Sequence, residues 1–227
     1  MVYAVLTRWL RASRWTLGIA ALMLMLNAGL FFSSPNAFES LLGFLEYDRT
    51  AILHGQIWRL ITGNLVHWSA AHFLLDISVF LFVGVLFEGS FGKSYPWMLL
   101  VMSLAVTISV LVGLPDMIRF RGFSGVDSGQ LAGVLCLEFR SRSRKMTEWI
   151  LLIGATGIFV VKLLYEIITG RLFFVTQSLG DLGTPVPLAH VAGAVGAVVF
   201  LALRWSLFTS RRDVSDREAI NDTPTDN

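Results

Sequence analysis

Hydrophobic residues in this chain gather in six long runs separated by polar or charged connections. The runs lie near Trp15–Phe32, His72–Phe87, Pro96–Leu114, Phe123–Phe139, Glu148–Ile168 and Pro185–Leu207. A hydrocarbon core about 30 Å thick is crossed by roughly 20 helical residues, and fewer where a helix sits short or low. Backbone polar groups inside a bilayer must be satisfied within their own segment, so the six runs are expected to be helices. The fourth is short and carries polar residues, and hydropathy alone does not mark it as a span. The longest connection, Ser34–Ala70, mixes apolar and polar positions around an amphipathic piece at Phe38–Leu45. Long connections of this kind often carry function. The stretch Asp213–Asn227 is polar, and its composition predicts disorder.

Composition agrees with a membrane environment. Hydrophobic residues make up 55% of the 227 positions and charged residues only 15%, against about 25% charged in an ordinary soluble domain. A net charge of +2 is too small to suggest nucleic acid as a partner. Its distribution says more. Arg8, Arg11 and Arg14 precede the first run, Lys93 lies between the second and third, and Arg140, Arg142, Arg144 and Lys145 separate the fourth and fifth. Arg204, Arg211, Arg212 and Arg217 follow the sixth, while the other side has Arg49, Arg59, Arg119, Arg121 and Arg171 spread over longer loops. The positive-inside rule then puts both termini in the cytoplasm, as an even number of spans requires. The first run is longer than a signal-peptide core and lacks a clear cleavage site, so it is expected to stay as a span. The resulting division is a basic N-terminus over 1–14, a six-helix membrane domain over 15–207 and a polar cytoplasmic tail over 208–227.

The single cysteine, Cys136, can form neither an intrachain disulfide nor a thiolate metal cluster. No phosphate-cradling glycine loop, zinc-type spacing or internal repeat is present, and no cofactor is expected. Chemistry is better sought among polar groups inside the runs, because each ionisable residue there costs roughly 2.5–3.5 kcal/mol on insertion scales. These are His72, Asp76, Asp127, Lys162, Glu166 and His190.

Three clusters stand out. Gly122-Phe123-Ser124-Gly125 opens the fourth run, where small residues admit a substrate and a helix N-terminus offers free N–H groups to an oxyanion. A plain loop-to-helix junction capped by Ser would read the same way. His190 stands near the same face of the membrane in the sixth run, ahead of Gly193 and Gly196. A serine needs such a base to become a nucleophile; a structural histidine bonded to a neighbouring helix is the alternative. His67, His72 and Asp76 form the third cluster, with His72 and Asp76 on one helix face. Two histidines and a carboxylate can bind zinc, but the loop position of His67 does not give a helical ligand pair.

Taken together the clusters resemble the rhomboid family. Its signature has a second-span H-x4-H-x3-N, a GxSG entering the fourth span and a His followed by glycine in the sixth. The chain reads His67-Trp-Ser-Ala-Ala-His72-Phe-Leu-Leu-Asp76, Gly122-Phe123-Ser124-Gly125 and Ala189-His190-Val191-Ala192-Gly193, with Trp58-Arg59 as in the family's first outer loop. The likeness runs from about Tyr47 to Phe200. The run LEYDR at Leu45–Arg49, the aspartate at 76 and RGFSGVDSGQ at Arg121–Gln130 most resemble the rhombosortase branch. That branch is associated with C-terminal anchors made of a glycine-rich motif, an apolar span and a basic end.

The resemblance implies an all-α, six-helix intramembrane serine endopeptidase that acts on a transmembrane protein substrate in the lipid bilayer. A bacterial inner membrane, with the site open to the outer face, is the expected location. Carried over by position, Ser124 is the nucleophile and His190 the general base of a dyad without an obligatory acidic third member. His72 and residue 76 would support the oxyanion with the Ser124 backbone N–H. His67, Gly122, Gly125, Trp58, Arg59 and Gly193 would have structural or supporting roles, and the loop Gly170–Thr184, with Gly180 and Gly183, would be a lid.

Several positions depart from the pattern. An ionised Asp76 would repel an oxyanion, so it must be protonated, turned elsewhere or uninvolved. Ser128 stands where many relatives have an aromatic residue. Asp127 could orient a histidine or make an ordinary interhelical hydrogen bond. Gly196 is one short of a GxxxG spacing, leaving Ala197 as the small partner of Gly193. Lys162 and Glu166, four apart, are expected to neutralise one another on a protein-facing side of the fifth span. Two rivals remain at this level, a catalytically silent rhomboid-like protein that binds membrane clients and a small transporter using His72, Asp76 and His190.

Overall fold

A computed structural model describes residues 13–31, 35–140, 145–171 and 186–221. The chain forms α1 (Arg14–Asn27), a 3-10 turn (Ala28–Phe31), α2 (Pro35–Leu45), β1 (Tyr47–Asp48), α3 (Arg49–Leu53) and α4 (Arg59–Thr62). It continues with α5 (Ala70–Phe91), a 3-10 turn (Gly92–Ser94), α6 (Tyr95–Gly113), β2 (Arg119–Phe120), α7 (Ser124–Arg140), α8 (Met146–Thr169) and α9 (Pro187–Asn221). A long helix therefore stands over each of the six hydrophobic runs. Among the described residues, four stretches are long and apolar enough to cross a membrane: Arg14–Phe31, Ala70–Gly113, Met146–Thr169 and Pro187–Trp205. The second of these contains both α5 and α6, whereas α7, with 17 residues and charged side chains at Asp127, Glu138 and Arg140, is not among them.

The helix boundaries follow local chemistry. Ser69 caps α5 by accepting the His72 N–H at 3.2 Å, and Asp48 caps α3 through the Ala51 N–H at 2.9 Å. Proline opens α2, where its missing N–H costs nothing. Gly170, at φ +67°, ends α8 in the left-handed conformation that glycine adopts without strain. The last helix continues through 208–221. Those residues contain neither Pro nor Gly and include good helix formers such as Arg, Glu and Ala.

One element lies outside the all-helical expectation. β1 and β2 pair antiparallel, with Tyr47 opposite Phe120 and Asp48 opposite Arg119. The pairing ties the long first connection to the segment that leads into Ser124. Arg121 reinforces it. Its guanidinium is buried, meets Glu46 at 2.8 Å and Glu39 at 2.6 Å, and lies 4.5 Å from the Trp68 ring centre. Burial disfavours the Arg121 charge, but the bonds to Glu39 and Glu46 outweigh it and hold its pKa above the ordinary value.

Arg59 braces the same connection from within. It is 7% exposed and donates to the carbonyls of Gly43 at 2.8 Å and Glu46 at 2.7 Å. Its neighbour Trp58 is more exposed and packs against Phe44, ring centres 5.5 Å apart. At the opposite end of α5, buried Glu88 accepts the backbone N–H groups of Trp15 at 3.0 Å and Thr16 at 2.8 Å. A carboxylate there satisfies free donors at the start of α1 and complements its dipole.

The centre of the fold is where α9 packs on α7 and α6. A Cβ on Gly193 would overlap the Gly125 carbonyl oxygen, and one on Gly129 would come 2.5 Å from the Gly193 carbonyl oxygen. The helix backbones thus touch directly, as small residues allow in membrane proteins. Gly125 and Gly129 supply a GxxxG on α7 that sequence reading overlooked while it sought one on α9. Gly196 faces α6 instead, where a Cβ would come 3.0 Å from that of Ala105. Helix α8 is held more lightly. Its buried residues are Leu152, Phe159 and Glu166, seven apart on one stripe, while Ile150, Leu151, Ile153, Ile158, Val161, Leu164 and Ile168 are exposed. In a bilayer those exposed side chains meet lipid rather than water.

Candidate active site

Ser124 is the first residue of α7 and His190 lies in the first turn of α9. The Gly125–Gly129–Gly193 seam brings these helix ends together, and His190 Nε2 stands 3.0 Å from Ser124 Oγ. His190 is 5% exposed, so bulk water does not compete strongly for the contact. An imidazole nitrogen in this position can take the hydroxyl proton as the oxygen attacks an electrophile.

The other imidazole nitrogen has a partner that sequence reading did not assign to it. His190 Nδ1 lies 2.7 Å from Glu166 Oε2. Lys162 and Glu166 do pair at 2.8 Å as expected, yet the same carboxylate oxygen faces the histidine. Lys162 Nζ is 3.3 Å from His190 Nδ1. Glu166 falls seven residues after Phe159 and fourteen after Leu152, which marks it as a member of the buried stripe of α8. That spacing was a signal available in the sequence. By contrast, both carboxylate oxygens of Asp127 lack a hydrogen-bond partner among the described residues, so it does not orient the histidine.

The approach to Ser124 is fixed by groups on α5 and the preceding loop. Asp76 Oδ2 accepts the Phe123 backbone N–H at 2.7 Å and meets His67 Nε2 at 3.1 Å, with His72 Nε2 3.5 Å away. Of the alternatives open for this residue, the structure has it turned towards the backbone just before the serine. The amide nitrogen of Asn27 donates to the carbonyls of Met23 and Leu65, so its oxygen is free to accept from His67 Nδ1 at 3.2 Å. His67 is fully buried between these partners.

Gly122 has φ +136°, a conformation that residues with a Cβ rarely adopt. A Cβ there would come 2.8 Å from the His72 ring. His72 therefore packs against the loop two residues before Ser124. Phe123 is anchored by its ring, which meets Phe80 edge-on with centres 5.1 Å apart. The first helical bond of α7 runs from the Asp127 N–H to the Phe123 carbonyl at 3.0 Å. The N–H groups of Ser124, Gly125 and Val126 consequently have no acceptor within the helix. These donors open the helix at Ser124, and the His72 ring packs on the loop just before it.

Ser128 is buried on α7. The loop expected to act as a lid lies almost wholly outside the described residues. Among the described residues no cluster of His, Cys, Asp and Glu could hold a metal ion.

The family model described as Rhomboid domain matches residues 54–207, more than half of the chain. The match includes Trp58, Arg59, His67, His72, Asp76, Ser124, Glu166 and His190. No curated protein matches the chain.

Proposed function

Since the chain belongs to the rhomboid family of intramembrane proteases, we propose that it is a serine endopeptidase using Ser124 as nucleophile and His190 as general base. It cleaves a membrane-anchored protein within or beside its transmembrane segment. The observation that carries this reading is the 3.0 Å contact between His190 Nε2 and Ser124 Oγ. Ser124 attacks the scissile carbonyl while its proton passes to His190, which returns it to the leaving amine. Water then hydrolyses the acyl-enzyme.

Negative charge on the tetrahedral intermediate is met by the free amides at the start of α7 and by His72. Asp76 serves this arrangement indirectly. Its carboxylate holds the Phe123 N–H and His67, and so fixes the loop that presents Ser124. A carboxylate in this place supports the loop without needing to touch the oxyanion. The contact between His190 and Ser124 also favours a working enzyme over a silent client-binding relative.

The enzyme is an integral membrane protein. In this reading six helices, α1 and α5 to α9, form the membrane domain, with both termini in the cytoplasm. The site opens to the outer face of a bacterial inner membrane. The helix count and the Lys and Arg distribution support this orientation. Two runs that resemble the rhombosortase branch, LEYDR and RGFSGVDSGQ, are neighbours in space through the Glu46–Arg121 pair and the β1–β2 bridge. Their mutual support favours a substrate of that branch, a C-terminal anchor with a glycine-rich motif, an apolar span and a basic end.

Co-expression with a reporter carrying such an anchor tests the reading. Release of the reporter is expected with the wild-type chain and is expected to be absent with Ser124→Ala or His190→Ala. Release that persists in Ser124→Ala would refute it. Release from an unrelated transmembrane anchor alone would keep the protease and remove the sorting-anchor assignment.

A further inference from the structure

The geometry points to Glu166 as a positioning residue that completes a Ser124–His190–Glu166 triad and selects the productive tautomer of His190 against Lys162. This rests on the proposed roles of Ser124 and His190, and adds a third group that a Ser–His dyad does not contain.

The proton on Nδ1 decides whether the imidazole can act as a base. For His190 Nε2 to accept the serine proton, the neutral imidazole must carry its own proton on Nδ1. Glu166 Oε2 lies 2.7 Å from Nδ1 and accepts that proton in a hydrogen bond. Lys162 Nζ, 3.3 Å from the same nitrogen, can only donate. A lysine donating to Nδ1 would leave the proton on Nε2, where it blocks transfer from Ser124. The two groups therefore favour opposite tautomers. The carboxylate wins because it is closer to the imidazole and because it also binds the ammonium, at 2.8 Å.

Burial strengthens the assignment. The Glu166 side chain is 2% exposed and that of His190 6% exposed. A carboxylate this deep in a membrane helix is costly unless charged hydrogen bonds compensate. Lys162 compensates it at rest, and the imidazolium formed during attack does so during reaction. Among the described residues, Ser124 meets Nε2, Glu166 and Lys162 meet Nδ1, and Asp127 makes no hydrogen bond to the ring. Glu166 is delivered by α8, whose buried stripe is short, so correct docking of that helix is part of arming the histidine.

The opposition between Glu166 and Lys162 gives a test that simple destabilisation would not mimic. Full-length protein in lipid nanodiscs is treated with a fluorophosphonate probe, and the initial rate of labelling at Ser124 is measured. In that reaction Ser124 Oγ bonds to phosphorus, fluoride leaves, and the serine proton goes to His190. Glu166→Gln is expected to slow labelling by up to about 10⁴-fold, the scale seen when a triad carboxylate is removed. Adding Lys162→Met to Glu166→Gln is expected to recover roughly tenfold or more, because the competing donor has gone. Glu166→Asp keeps the charge and is expected to lie between wild type and Glu166→Gln.

Equal labelling rates for Glu166→Gln and wild type would overturn the inference. So would a double variant no faster than Glu166→Gln while thermal denaturation shows both folded. If Glu166→Gln does not fold, Lys162→Met/Glu166→Gln, which removes both charges, is compared with Lys162→Met alone, and equal rates there also overturn it. Wild-type protein that does not label at all would refute instead the roles of Ser124 and His190.

Discussion

Asp76 Oδ2 receives the Phe123 backbone N–H at 2.7 Å, one residue before the serine that opens α7. This contact explains how an aspartate can stand where the family signature has asparagine. The oxygen that accepts the amide also meets His67, so the side chain acts on the loop rather than on a reacting carbonyl. Asp76→Asn keeps an acceptor for the amide and is expected to retain labelling within about tenfold of wild type. Asp76→Ala leaves a buried N–H without its partner, at a cost of about 1–3 kcal/mol. It is expected to lower the denaturation midpoint and slow labelling more than Asp76→Asn. Equal behaviour of the two variants would contradict the bracing role.

The seam between α7 and α9 should be intolerant of any added side chain. Gly193→Ala would push the new methyl into the Gly125 carbonyl, and the helices must separate to admit it. A loss of several kcal/mol is outside what repacking can absorb, since overpacking costs roughly 1–3 kcal/mol even where neighbours can move. Labelling at Ser124 should fall with it. Gly157→Ala is the contrasting case, because nothing lies within 4 Å of its added Cβ. It is expected to be neutral or to stabilise α8 by up to about 1 kcal/mol. Matched thermal denaturation of the two variants decides the point.

Gly122 makes a different demand. Both its φ of +136° and the nearby His72 ring exclude a side chain. Gly122→Ala is expected to shift the loop that carries Phe123 and to reduce labelling by roughly 10²-fold, the scale of a 1 Å misplacement of a reacting group. Its denaturation midpoint should move less than that of Gly193→Ala, because helix packing is preserved.

The buried Arg121–Glu46 pair supplies a prediction about coupling. Each partner keeps one further ion pair, Arg121 with Glu39 and Glu46 with Arg119, so Arg121→Met and Glu46→Gln should each cost less than the about 3–5 kcal/mol of a wholly stranded buried charge. The double variant should lose much less than their sum, which a double-mutant cycle on denaturation midpoints would read as a coupling energy. Additive losses would mean that the pair does not tie the first connection to the Ser124 loop.

Much of this arrangement could be read from the sequence, and the omissions have a common cause. The six helices were legible because long apolar runs leave the backbone no other way to satisfy itself. Ser124, His190, His67, His72 and Asp76 were legible as candidates because each stands in a motif that resembles one of the rhomboid family, and only His72 and Asp76 share a helix face. Contacts between distant segments were not. Glu88 reaches the start of α1, Glu46 reaches Arg121, and Glu166 reaches His190, each across 24 or more residues. No local pattern records the rotation of one helix about its axis relative to another. For Glu166 a partial signal existed, the seven-residue stripe with Leu152 and Phe159, but its reading as a simple partner of Lys162 used only local spacing. The GxxxG of Gly125 and Gly129 was visible too, although its target on α9 was not.

Proteolysis by this chain depends on the chemical pairing of Ser124 with His190 in the proposed mechanism. Peptide mapping by mass spectrometry after fluorophosphonate treatment of the folded, membrane-embedded protein tests it most directly. The adduct is expected on Ser124 alone, formed in wild type and absent from His190→Ala, with Ser124→Ala unlabelled. An adduct on another residue, or undiminished labelling of Ser124 in His190→Ala, would contradict the pairing.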